Sequence, residues 1–172
     1  MMHSLSRRYF LGTALGCAAL MMIPSAAKAN EWVRFNFIRR RGDNFPYRLD
    51  EARWRAKLGD EGYRILRDGE NEKAGTSPLL RERRKGTYHC RGCEQPVFSS
   101  GAKTMANDWP TFRAPLSRRA IGLSTDFGII LPRTEVHCAN CGGHLGYRFA
   151  TDNAAETWRF AINGASLLFR PS

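Results

Sequence analysis

Three things are scarce in this 172-residue sequence: long apolar runs, acidic residues, and cysteines outside two short motifs. The most apolar stretch, from Leu11 to Ile23, is too short and too rich in Ala and Gly to make a stable membrane span. Only 16 Asp and Glu stand against 27 Lys and Arg, a formal charge of +11, while the hydrophobic content of 42% and charged content of 25% are ordinary for a globular domain. The surplus cations are scattered over Arg39-Arg40-Arg41, Arg81 to Lys85 and Arg118-Arg119. They converge on no element that could read bases, so no specific nucleic acid is expected, and a basic polyanion-binding protein ranks as the weakest reading. Of five cysteines, only Cys17 lies outside a Cys-x-x-Cys pair.

The chain opens with Ser6-Arg7-Arg8-Tyr9-Phe10-Leu11, a weakly apolar stretch, and Ala27-Lys28-Ala29 before Asn30. That order reads as a twin-arginine signal over residues 1–29 with a small-x-small cleavage site. It predicts export to the periplasm or beyond, the twin-arginine machinery as a partner, and no membrane span after cleavage. Cys17, in Leu15-Gly16-Cys17, could mark a lipoprotein but is expected to leave with the leader. Cleavage removes Arg7, Arg8 and Lys28 and no acid, so the mature charge becomes +8. Residues 30–48 read as a basic arm, and residues 49–172 as one domain large enough to bury its own core.

Within that domain two short helices are expected, Asp50 to Leu58 and Asp60 to Asp68, each opened by an Asp that accepts from first-turn amides, with Gly69 near the end. Asn71 to Lys85 is polar, holds Gly75 and Pro78, and suits a loop wrapping towards a metal site. After Gly86 the pattern is β-rich, with short apolar runs at Pro96-Val97-Phe98, Gly128 to Leu131, Glu135-Val136-His137 and Trp158 to Ile162. Trp109-Pro110-Thr111-Phe112 reads either as a core aromatic corner or as a pocket wall with both rings facing one way.

The strongest chemical signal is the pairing of Cys90/Cys93 with Cys138/Cys141. Two intervening residues let both thiolates of a pair point at one ion, so two pairs can close a tetrahedral site. The long separation between the pairs makes such a site a staple between distant parts of the fold. Two disulfides in an exported protein are the competing reading, though a Cys-x-x-Cys disulfide is strained and usually redox-active.

Tyr88-x-Cys90-x-x-Cys93, Phe98-Ser99-Ser100, Lys103, Trp109-Pro110-x-Phe112-x-x-Pro115, the run from Arg133 to Gly146, and Ile162-Asn163-x-Ala165-Ser166-Leu167-x-Phe169 resemble the B-type methionine-R-sulfoxide reductases. The resemblance covers about Asp50 to Phe169. It implies a mainly β, Mss4-like architecture of two antiparallel sheets with short N-terminal helices, and a structural zinc on Cys90, Cys93, Cys138 and Cys141. In that family a thiolate attacks the sulfoxide sulfur, histidines and water protonate the leaving oxygen, and a second thiol resolves the sulfenic acid.

Here the resemblance breaks at the chemistry. The family's Arg-Tyr-Cys-Ile-Asn run reads Arg159-Phe160-Ala161-Ile162-Asn163, so the nucleophile position is Ala161. Its His-Leu-Gly-His-Val-Phe run reads His144-Leu145-Gly146-Tyr147-Arg148-Phe149, which puts Tyr147, still a hydrogen-bond donor, at the second histidine. No resolving cysteine is present, Asp108 replaces the glycine before Trp109 in a loop one residue short, and the loop after Phe149 is also altered. Trp109, His144, Arg159 and Asn163 match the family's pocket. Strand alternation puts Arg159, Ala161 and Asn163 on one face and Phe160 and Ile162 in the core. A surface cation and a turn residue are the plainer readings of Arg159 and Asn163. The pattern points to a pseudoenzyme that binds methionine-like or sulfoxide side chains, such as those of methionine-containing peptides, without reducing them. The alternative is an active peptide-methionine (R)-S-oxide reductase working by an atypical route.

Overall fold

The computed structural model describes residues 45–127, 132–151 and 158–172. The predicted leader, nearly all of the basic arm, the Gly128 to Leu131 run and most of the altered loop after Phe149 lie outside the described residues.

Helix α1 spans Glu51–Leu66 and is broken at Gly59, whose φ of 68° and ψ of 176° are not helical. The two short helices expected from sequence are therefore the two arms of one kinked element. Asp50 caps it by accepting from the Arg53 amide at 2.8 Å, which satisfies one of the orphan donors of the first turn. Beyond the C-cap at Arg67, Gly69 at φ 77° turns the chain back. Trp54, Leu58, Tyr63, Ile65 and Leu66 form the buried stripe.

Nine strands follow among the described residues: β1 (Gly86–Cys90), β2 (Pro96–Ser99), β3 (Lys103–Thr104), β4 (Thr111–Phe112), β5 (Ile121–Phe127), β6 (Pro132–Cys138), β7 (His144–Ala150), β8 (Trp158–Ile162) and β9 (Leu167–Pro171). They form two antiparallel sheets, one in the order β2-β1-β9 and the other β3-β4-β8-β7-β6-β5. Among the described residues the protein is thus mainly β, with two sheets and one α-helix around one core.

Aromatic side chains join the sheets. Phe98 of β2 stacks on Phe112 of β4 with centroids 4.4 Å apart, and Tyr88 of β1 meets Phe112 edge-on at 4.9 Å. All three are fully buried, and each of the two phenylalanines contributes roughly 1.5–3 kcal/mol by leaving water. Phe112 is therefore core while Trp109 is not, so the two rings of the Trp-Pro-Thr-Phe run do not face the same way.

The larger sheet carries a row of side chains across five strands, polar but for one alanine. Ser124, Glu135, Tyr147, Ala161 and Thr111 are successive cross-strand partners on β5, β6, β7, β8 and β4. Strand β8 alternates as expected, with Phe160 and Ile162 buried and Arg159 and Ala161 partly exposed on the other face. Gly146 lets β7 lie close to β8, since a Cβ there would sit 2.1 Å from the Ala161 carbonyl oxygen.

Candidate functional site

The two cysteine pairs are turns of the same design. After the second cysteine of each pair comes a residue with positive φ, Glu94 at 63° and Gly142 at 67°. Its amide donates to the carbonyl of the first cysteine, Glu94 to Cys90 at 2.7 Å and Gly142 to Cys138 at 2.9 Å. The left-handed position of the first turn is thus taken by Glu94, a non-glycine residue. Helix α1 covers the cluster: Arg67 donates to the Cys141 carbonyl at 3.0 Å while lying over Trp54, and Arg91 donates to the Leu58 carbonyl at 3.3 Å.

All four sulfurs lie within 4.8 Å of one another, with Cys90 to Cys141 at 3.7 Å and Cys93 to Cys138 at 3.5 Å. A tetrahedron with metal–sulfur bonds of about 2.3 Å has edges of about 3.8 Å. A disulfide needs about 2.05 Å, and the four thiols are free. The crowded sulfurs share protons unevenly: hydrogen bonding with Cys138 above all holds Cys93 far below the thiol range and Cys90 well above it. Four cysteines so placed can bind one metal ion and leave no ligand position open.

Away from the sulfurs lies a cavity of about 800 Å³ whose walls include Asn71, Trp109, Thr111, Arg133, Tyr147, Phe149, Arg159, Ala161 and Asn163. Trp109 is a pocket wall, half-buried, and its indole N–H donates to the Glu72 carbonyl at 3.2 Å. Asn163 is buried; its amide donates to Asn71 and to the Leu145 carbonyl, both at 3.2 Å, and accepts from the Glu72 amide at 3.0 Å. The Asn71 to Lys85 loop thus makes these contacts at the cavity rather than at the sulfurs, which corrects the direction expected for it. Glu72 secures it by accepting from the Gly164 and Ala165 amides, and burial raises its carboxyl despite those two bonds.

His144 does not line the cavity but stands fully buried behind its wall. Its Nδ1 is 2.8 Å from Glu135 Oε1, and Ser124 donates to the other carboxylate oxygen at 2.9 Å. A carboxylate acceptor assigns the proton to Nδ1 and leaves Nε2, 3.5 Å from Asn71 Oδ1, as the nitrogen nearest the cavity.

Tyr147 is a hydrogen-bond donor, as expected, but its partner is a residue of the same sheet. Its hydroxyl donates to Asp126 Oδ2 at 3.1 Å and accepts from Arg133 at 3.2 Å, while Arg133 also donates to Asp126 at 2.9 Å. Burial holds the phenol well above its ordinary range. Its one proton is committed to Asp126, so the phenol is neither a free donor nor an acid. Asp126, Asn71 and Glu72 had no signal of their own in the sequence; Arg133 lay within a quoted motif but had no role attached to it.

A family model described as SelR domain matches residues 58–171. Fold and four-cysteine centre together thus define a SelR-domain protein. The peptide methionine sulfoxide reductase MsrB of Agrobacterium fabrum is 38% identical over 122 residues, covering 70% of this chain and 90% of the relative. That of Thiobacillus denitrificans is 39% identical over 122 residues, with 70% and 92% covered. That of Leptospira interrogans is 36% identical over 128 residues, with 74% and 98% covered. The chain belongs to the methionine-R-sulfoxide reductase B family.

Proposed function

We propose that this family member is an exported, zinc-stabilised pseudoenzyme that binds methionine-like or sulfoxide-bearing side chains without reducing them. The observation that carries this reading is Ala161. It lies on the cavity wall between Thr111 and Tyr147, and its methyl group has no electron pair to offer a sulfoxide sulfur. All four cysteines among the described residues belong to the metal cluster, so no thiol replaces it. The proton side is impaired too, since Tyr147 stands where the resemblance expects an imidazole and its own proton is held by Asp126.

In this reading Trp109 and Arg159 contact the side chain, and Asn163 with His144 behind it shapes the wall. Zinc is the natural ion for four thiolates at these spacings, and a closed site of this kind supplies folding energy rather than chemistry. Export rests on the leader sequence. Two measurements test the proposal together: calorimetric titration of the purified chain with a methionine-sulfoxide peptide, and product analysis after incubation with the R-sulfoxide and dithiothreitol. Binding with no methionine formed is expected; stoichiometric reduction by the unaltered chain would overturn it.

A further inference from the structure

We propose that Arg133 reads the oxygen of an oxidised methionine side chain in this cavity, so that the site selects sulfoxide over thioether. The inference rests on the cavity being a methionine-side-chain site and adds the residue that chooses the oxidation state.

Arg133 is held unusually firmly for a half-exposed side chain. It is the cross-strand partner of Asp126, its Nη2 donates to both Asp126 Oδ2 and the Tyr147 hydroxyl, and its guanidinium carbon lies 4.2 Å from the Tyr147 ring centroid. These contacts offset much of the rotamer entropy that positioning an arginine costs. Both hydrogen bonds use one nitrogen. The N–H groups on Nε and Nη1 have no hydrogen-bond partner among the described residues, and Arg133 lines the same cavity as Tyr147 and Ala161.

A sulfoxide oxygen carries partial negative charge and accepts strongly, whereas a thioether sulfur is a weak acceptor. Guanidinium N–H bonds to such an oxygen are charge-assisted. Tyr147 cannot take this part, because its proton goes to Asp126. A guanidinium also keeps its protons at any physiological pH. Arg133 therefore holds the oxygen without delivering the proton that its departure as water would need, just as Ala161 offers the sulfur no nucleophile. The oxygen is recognised and retained.

The test is isothermal titration of the full chain with two uncharged probes, the R-sulfoxide of N-acetylmethionine methylamide and the parent thioether. The unaltered chain should prefer the sulfoxide by roughly tenfold or more, as a charge-assisted bond implies. Arg133→Met should cut the preference below about threefold while leaving thioether affinity within about twofold. Should that variant not fold, Arg133→Gln, which keeps a donor but no charge, should still lower the preference at least threefold. A preference unchanged in the variant that folds overturns the assignment. Equal binding of both probes by the unaltered chain overturns it too, yet leaves the cavity as a methionine-side-chain site; binding of neither overturns both readings.

Discussion

Ala161 on β8 and Tyr147 on β7 are cross-strand partners, so the two positions that should carry the family's chemistry stand side by side on one face of one sheet. Restoring them tests the proposed pseudoenzyme directly. Ala161 is only partly buried, which leaves room for one sulfur, and Arg159 on the same face favours a thiolate. The unaltered chain should not reduce R-sulfoxides, Ala161→Cys should do so slowly, and Ala161→Cys with Tyr147→His should be faster by about a hundredfold, the usual worth of a positioned proton donor. Chromatography of the methionine formed reports all three. Without added thiol the double variant should stop after one equivalent, as a sulfenic acid.

Metal content is the second prediction. Four sulfurs packed within 4.8 Å and ionised together repel unless a cation sits among them, and structural zinc supplies on the order of 10 kcal/mol at neutral pH. That is comparable with the whole stability of a domain. Elemental analysis should find one zinc per chain, and a chelator strong enough to remove it, or Cys138→Ser, should abolish the cooperative melting transition. Zinc well below one equivalent alongside two disulfides would contradict this.

Trp109 should matter more to ligand than to fold. It is half-buried, lines the cavity, and its side chain makes one hydrogen bond among the described residues, to the Glu72 carbonyl. Trp109→Ala should weaken sulfoxide-peptide binding tenfold or more and lower urea stability by only about 1–2 kcal/mol. Equal damage to both, read by titration and urea unfolding, would return the tryptophan to the core.

Glu72 gives a pH signature. Burial raises its carboxyl in the folded state above the ordinary 4.5. The folded chain therefore binds this proton more tightly than the unfolded chain. The stabilisation is complete below the ordinary value and is lost as pH rises through the raised one. The urea midpoint of the unaltered chain, minus that of Glu72→Gln, should fall as pH climbs from about 4 to neutrality. A difference that rises instead would mean that the Gly164 and Ala165 amides outweigh burial.

Gly146→Ala should be among the most damaging single-methyl changes in the domain. The added carbon would meet the Ala161 carbonyl oxygen at 2.1 Å and Ile162 Cα at 2.9 Å. Both are backbone atoms of the neighbouring strand and cannot step aside as a side chain can. A loss on the order of 3 kcal/mol or more is expected in urea unfolding. An unchanged midpoint would show that β7 and β8 can part without cost.

What the sequence disclosed and what it withheld divide on physical lines. The Asp50 cap, the break at Gly59 and the alternation of Arg159 to Ile162 were legible because each depends on neighbours within a few residues. The metal cluster was legible because thiol chemistry admits few uses for two Cys-x-x-Cys pairs. Other features were not. Periodicity says which face a side chain takes but not what stands across from it, so the capture of the Tyr147 proton by Asp126 could not be read. His144 was expected at the pocket and lies behind its wall, because Asn71, 73 residues away in sequence, comes between them. The hold of Glu72 on Gly164 and Ala165 spans more than ninety residues, and no local pattern in a polar loop announces such a partner.

The left-handed turns that present Cys93 and Cys138 to each other also join the two ends of a long segment. These two residues are 45 apart in sequence, and the segment between them carries Trp109, Thr111, Asp126 and Arg133. Tying its ends removes about 4 kcal/mol of closure entropy from the unfolded chain, by the loop-length relation. With an ion bound there, those four residues would ride on a ring rather than an open strand, which shortens the search that brings the two sheets together. Part of the cavity wall, Trp109, Thr111 and Arg133, is therefore strung on a loop whose clasp sits elsewhere, and opening the clasp should slacken the cavity without touching any residue that lines it.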